Sequence, residues 1–223
     1  MGHAVVGLWH GWKLEQFIVG PIGIERNKEY KLTFYLVKNP LVWGGAMYVA
    51  PDKIDEDTIK IVSKILLGGP VASLVTASIF FAVLLFHFNV AILLLCLISL
   101  AICIVCSVPM KNGGDYNDGK RWLMLRKDDG QEAKETIAIF KIAEFERLKS
   151  DDKPMQKVDF EVLLNSNIPT RRYAGYAYLY KYYKAQNEIK NIEKAFNELQ
   201  TLKKDVPNFV IEEYGIELSP PTE

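Results

Sequence analysis

Three features of this 223-residue chain have residue types that chemistry uses. His3 lies on a short apolar stretch, Gly68-Gly69-Pro70 opens a long apolar run, and "NDGKRWL" (117–123) follows that run. An imidazole can ligate a metal, although a single histidine on an apolar helix is as well explained as a packed residue. Gly-Gly-Pro serves as a helix entrance, because proline is tolerated in a first turn. Asn-Asp-Gly before a helix makes a turn and an N-cap. Cys103 and Cys106 form a C-x-x-C. A zinc or redox role would need a second such pair or paired histidines, so all three cysteines read as small hydrophobes on apolar helices. His10 follows His3 by seven residues on about the same helical face. Two turns separate them by about 10 Å, too far for two imidazoles to share one metal ion. His87 falls in the join between two apolar runs.

The elements that must position these groups follow from composition. Lys plus Arg total 27 and Asp plus Glu total 27, so the formal net charge is zero. That balance lacks the basic excess on which nucleic-acid affinity rests. The average conceals two different solvents. From Ile65 to Val108 there is no Lys, Arg, Asp or Glu, and only His87 and Asn89 break the run strongly. Residues 65–86 and 90–108 are each long and apolar enough to cross a bilayer. Their join at 87–89 is so short that they must form an antiparallel hairpin with both flanks on one side. Those flanks carry Lys60, Lys64, Lys111, Lys120 and Arg121, which the positive-inside tendency places in the cytoplasm. A buried core hairpin of a water-soluble protein is the competing reading. No basic region precedes the first apolar stretch, so a cleavable signal peptide is not expected.

Residues 1–12 suit a short helix or the end of a longer one. Phe17, Val19, Gly20-Pro21 and the run Leu32–Val37 predict strands and turns, giving a small β-hairpin or sheet beside the spans. After Pro109 the chain is rich in charge and tyrosine. Apolar positions Ile137, Phe140, Ile142, Phe145 and Leu148 predict a helix over 131–149, and 159–164 predicts another. Pro169-Thr170 starts a helical hairpin that turns near 186–188. Its second arm presents Ile189, Ile192, Phe196, Leu199 and Leu202. It is similar to one tetratricopeptide unit, but stable arrays need at least about three. "LSPPTE" predicts a disordered end.

Taken in order, these segments resemble the site-2 protease family of zinc-dependent intramembrane metalloproteases. "MGH" matches the last three residues of that family's His-Glu-x-x-His motif, with His3 as the second histidine. "WKLEQFIVGPIGIERN" looks like its post-helix strand, "LLGGPVASL" its glycine-proline helix, and "NDGKRWLML" its Asp-Gly segment. The resemblance covers residues 1–127, the expected membrane core. Residues 128–223 are then a cytoplasmic helical tail on a mostly α membrane protein. It implies a bacterial integral membrane protein of the cell membrane that binds Zn²⁺. His3 and Asp118 would be ligands, and Asp115 a weaker candidate than Asp118. Gly69 and Pro70 would shape the substrate cleft. The implied partners are membrane lipid, a membrane-associated protein substrate and a protein bound by the tail, with no nucleic acid.

Zinc catalysis needs three protein ligands and an open position. In the resembled motif the histidines share one helical face and the glutamate between them is the general base. That first His and Glu would precede Met1, as if the chain began inside its own motif. Without them residues 1–223 supply two ligands and no base, and are expected not to hydrolyse peptides. Two other readings stand beside this one. One is a non-catalytic membrane scaffold with a partner-binding tail; the other is a membrane protein without protease ancestry, in which the motif order is accidental.

Overall fold

A computed structural model describes residues 1–27, 31–38, 40, 43, 45–112, 115–126, 130–148 and 156–214. The chain divides into two compact units: Met1–Met110 with Asn117–Lys127, and Lys111–Tyr116 with Asp128–Glu223.

In the first unit, helix α1 (Gly2–Trp9) stops where Gly11 takes φ 79°, a left-handed value that suits glycine past a helix end. Four antiparallel strands follow: β1 (Lys13–Val19), β2 (Ile22–Arg26), β3 (Leu32–Leu36) and β4 (Ala46–Ala50). Their order is β3-β2-β1-β4, so β3 and β4 are the edges. The sheet is therefore larger than a hairpin. The segment after Gly45 returns to pair with β1, Leu14 opposite Val49 and Phe17 opposite Met47.

Helix α2 (Thr58–Phe86) begins seven residues before the apolar run. Asp55 and Thr58 bond to each other at its start: the Asp55 N–H donates to Thr58 Oγ1, whose hydroxyl donates to Asp55 Oδ1. The helix thus runs through the polar approach. Gly68-Gly69-Pro70 therefore lies in the helix interior, not at its entrance. There Pro70 has no N–H to offer the Leu66 carbonyl. Helix α3 (Val90–Ser107) is capped by Asn89, which accepts from the Ala91 and Ile92 N–H groups. Helices α2 and α3 are both long and apolar enough to cross a membrane. Most of their apolar side chains point away from protein: Val75 is 53% exposed, Ile79 58%, Leu94 54% and Ile98 56%. The buried-hairpin reading required the opposite. Helix α4 (Asp118–Leu125) completes the unit.

The second unit holds a two-stranded hairpin, β5 (Lys111–Asn112) with β6 (Asp115–Tyr116), and a helical bundle. The bundle comprises α5 (Gln131–Leu148), α6 (Lys157–Leu164), α7 (Pro169–Ala185), α8 (Ile189–Leu202), a 3₁₀ turn (Lys203–Asp205) and α9 (Asn208–Glu213). Pro169 opens α7, as expected of a residue with preset φ and no N–H to lose. Helix α7 is central. One side packs Tyr173, Ala177 and Tyr180 against Ile192, Leu199 and Leu202 of α8. The other packs Ala174, Tyr178 and Leu179 against Ile142 of α5 and Phe160 and Leu163 of α6. The tyrosines are core residues, Phe160 stacking on Tyr178 at 5.7 Å. Ile189, expected on the apolar face of α8, is 62% exposed in its first turn. The side chain of Leu148 and the end "LSPPTE" lie outside the described residues.

Candidate metal centre

His3 sits in the first turn of α1, and α1 crosses α2 at backbone contact. A Cβ on Gly2 would overlap the Gly68 carbonyl, and one on Gly68 would meet Gly2 and Val6. Glycine at both positions lets the two axes approach closely. One residue further along α2, a Cβ on Gly69 would coincide with the His3 imidazole. The ring occupies the space that the missing side chain leaves.

The ring's other partners fix its orientation. His3 Nδ1 lies 2.6 Å from the Ile65 carbonyl oxygen. A carbonyl can only accept, so Nδ1 must carry a proton and donate it. In the neutral imidazole, Nε2 then bears the lone pair. That nitrogen faces Asp118 Oδ2 at 3.2 Å. Both side chains are partly shielded, at 24% and 26% exposure.

Asp118 is placed by its neighbours. It is the first residue of α4, where the positive helix end favours a carboxylate. Asn117 before it caps α4 by accepting from the Lys120 N–H. Its amide Nδ2 donates to the carbonyls of Val105 at 2.7 Å and Val108 at 2.6 Å, which ties α4 to the end of α3. Met110 and Asn117 also bond: the Asn117 N–H donates to the Met110 carbonyl, and the Met110 N–H donates to Asn117 Oδ1. Gly119 is in contact with the Ser107 backbone, where a Cβ would overlap the Ser107 carbonyl.

A cavity of about 550 Å³ opens beside this pair. It is bounded by α1, β1, β4, α2 and α3, and its lining includes Gly69 and the hydroxyl residues Ser73, Thr76 and Ser99. Pro70 lines a second cavity of about 250 Å³ with Leu66, Gly119 and Trp122. The structure thus brings His3, Gly69 and Asp118 together and sets Pro70 to another side of α2.

The remaining candidates lie elsewhere. His10 Nδ1 faces the Val6 carbonyl at 2.9 Å and its Nε2 faces Lys64 Nζ at 3.2 Å. His87 ends α2 at the far end of the helical hairpin. Asp115 pairs with Arg171. The three cysteines are free thiols. Among the described residues no group of three or more His, Cys, Asp or Glu is placed to hold a metal ion.

Residue-type reasoning missed the Ile65 carbonyl, since a backbone acceptor leaves no mark in sequence. It also missed the three hydroxyls, whose spacing on α2 and α3 was legible as a polar interruption.

The sequence model of peptidase family M50 matches residues 1–212. The chain belongs to that family. The match runs through the sheet, the two apolar helices, the Asp118 segment and nearly all of the helical bundle. Membership in M50, the site-2 protease family, supports a protease-like function in general, and the family is generally zinc-dependent. No curated protein and no solved structure matches the chain.

Proposed function

We propose that residues 1–127 form the membrane core of an M50 zinc endopeptidase, with His3 Nε2 and Asp118 as two of its metal ligands. One observation carries the reading. The Ile65 carbonyl claims the Nδ1 proton, so two lone-pair atoms, Nε2 and Asp118 Oδ2, face each other at 3.2 Å. With the imidazole neutral, such a pair calls for a cation between its members. Nitrogen and oxygen ligands about 2.0–2.2 Å from one tetrahedral zinc stand about 3.3–3.5 Å apart, close to the separation found. A ligating histidine whose other nitrogen donates to a carbonyl is the usual outer-shell arrangement.

The chain's own groups have definite tasks in this reading. The Ile65 carbonyl holds the His3 tautomer, Gly69 leaves room for the ring, and Asn117 fixes the backbone that presents Asp118. The cavity beside them takes an extended segment of a membrane-associated substrate. The edge strand β4, which borders it, supports main-chain pairing with that segment. Bound zinc would supply an activated water and a polarised scissile carbonyl. Among the described residues no third ligand joins His3 and Asp118; in the resembled His-Glu-x-x-His motif the first histidine and the glutamate take the parts of third ligand and general base. Helices α2 and α3 lie in lipid, which suits their outward apolar surface and the outward Phe34 and Leu36 of β3. Lys60, Lys64, Lys120 and Arg121 flank them on the cytoplasmic side, where the helical tail recruits a partner.

A protonated His3 paired with the Asp118 carboxylate satisfies the same geometry without metal. Zinc content separates the two. The protein is purified in detergent from its own gene, with any in-frame codons upstream of Met1 retained. One bound zinc that is lost in His3→Ala and in Asp118→Ala supports the metal centre. Zinc absent from the parent, or unchanged in both variants, refutes it. Codons for His-Glu upstream of Met1 support catalysis; other residues or a stop there leave the scaffold reading.

A further inference from the structure

The second cavity of the first unit, about 250 Å³, lies on the Pro70 side of α2. Leu66 and Pro70, four residues apart, share one buried face of that helix. Gly119 lets α4 approach the end of α3, since a Cβ there would overlap the Ser107 carbonyl. Helix α4 thereby closes the cavity with Trp122 and Leu123. Apart from the Ser107 hydroxyl and the Trp122 indole N–H, no polar side-chain group lines it. Ordered water needs several polar partners, so the cavity suits hydrocarbon better than water.

Its mouth has a definite level along the spans. Leu66 and Leu67 follow shortly after Lys64, and Ser107 and Pro109 flank the last residue before the chain turns polar. Leu67 is 39% exposed and Leu123 41%, so the rim continues the outward apolar surface of α2. Trp122 belongs to the residue type that favours the membrane–water boundary. The guanidinium of Arg126 stands 4.3 Å over the Trp122 ring. Arg126 is exposed, and among the described residues it makes no ion pair. Stacking holds its fork in place, and a guanidinium fork matches a phosphate. Lys120 and Arg121 lie on the same short helix, whose one carboxylate, Asp118, faces His3.

We propose that this cavity binds one anionic phospholipid, an acyl chain entering between α2 and α4 and its phosphate meeting Arg126. Hydrocarbon lining and an unpaired cation at the mouth together call for a ligand that is apolar at one end and anionic at the other, and a basic site at the ends of membrane helices is where such lipids bind. The site rests on α2 and α3 lying in lipid and is independent of the metal ion.

The test uses the full protein in phosphatidylcholine vesicles that carry a small fraction of one lipid with brominated acyl chains, which quench nearby tryptophan emission. The contribution of Trp122 is the difference between the parent and Trp122→Phe. Brominated phosphatidylglycerol should quench it more strongly than brominated phosphatidylcholine at the same fraction. Arg126→Gln, at an exposed position, should reduce that preference about fivefold, the usual weight of one basic residue at an anionic surface. Lys60→Gln removes a flanking cation that is already bonded to Asp57 and should leave the preference intact. Equal quenching by the two lipids overturns the proposal, and so does quenching by neither, which fits a cavity covered by protein. A preference kept in Arg126→Gln, or lost equally in Lys60→Gln, overturns it too, the second as a diffuse charge effect. Flotation with the vesicles tests the membrane reading separately: protein that fails to float takes α2 and α3 out of lipid, and the lipid site falls with them.

Discussion

Replacing Gly69 by alanine separates local propensity from tertiary packing. In a helix interior, alanine is favoured over glycine by about 1 kcal/mol, so propensity predicts a more stable α2. The structure predicts the reverse. A Cβ at residue 69 would occupy the position of the His3 ring, with Nε2 and Cε1 both in overlap. The ring cannot retreat without giving up its Nδ1 bond to the Ile65 carbonyl. Overpacking of this kind costs about 1–3 kcal/mol, and the lost hydrogen bond about another 1 kcal/mol. Offset by the helix gain, the net effect is a destabilisation of about 1–3 kcal/mol. Displacing Nε2 from Asp118 should also remove bound zinc. Thermal unfolding in micelles, followed by circular dichroism, measures the first effect, and metal content the second. A Gly69→Ala protein that is more stable than the parent and binds zinc normally would refute the placement of His3 over Gly69.

Arg171→Ala strands Glu132 and Glu135 in the interior and should cost about 3–5 kcal/mol, visible as early melting of the bundle. Leu199, wholly buried between α7 and α8, should cost about 2–5 kcal/mol on truncation to alanine, measured by urea unfolding. Asn117→Ala removes a cap worth about 1 kcal/mol together with both carbonyl bonds to α3, and should speed hydrogen exchange at the start of α4. The Tyr173 hydroxyl is buried with no partner among the described residues, and burial pushes its phenol up. The unfolded chain then ionises first, so this residue's contribution is intact below about pH 10 and falls as pH rises beyond it. Tyr173→Phe should flatten that alkaline loss in a pH series of unfolding curves.

What the sequence determined by itself is whatever short-range chemistry decides. The uncharged stretch 65–108 required two apolar helices, because no charged side chain offers water a foothold there. Asn117 and Pro169 marked helix starts, because caps and first-turn residues act on the next few backbone N–H groups and nothing more distant. Ile192, Leu199 and Leu202 recur at helical spacing and are buried. The order of the apolar helix, sheet, Gly-Gly-Pro and Asp-Gly segments carried the family.

Tertiary structure decided what depends on atoms far apart in the chain. Glu132 and Glu135 follow the same stripe as Ala138 and Ile142, yet a carboxylate in phase with an apolar stripe is credible only once a cation is known to meet it. That cation, Arg171, comes from 39 residues beyond Glu132. Asp118 ranked above Asp115 in sequence only through the segment that follows it; their partners in the fold, His3 for Asp118 and Arg171 for Asp115, separate the two by contact. The proton on His3 was likewise undecidable from residue types, because a backbone carbonyl at Ile65, 62 residues away, determines which nitrogen is free. Packing of Gly2 on Gly68 brings that carbonyl within reach, since without a Cβ on either side two helix backbones can come together.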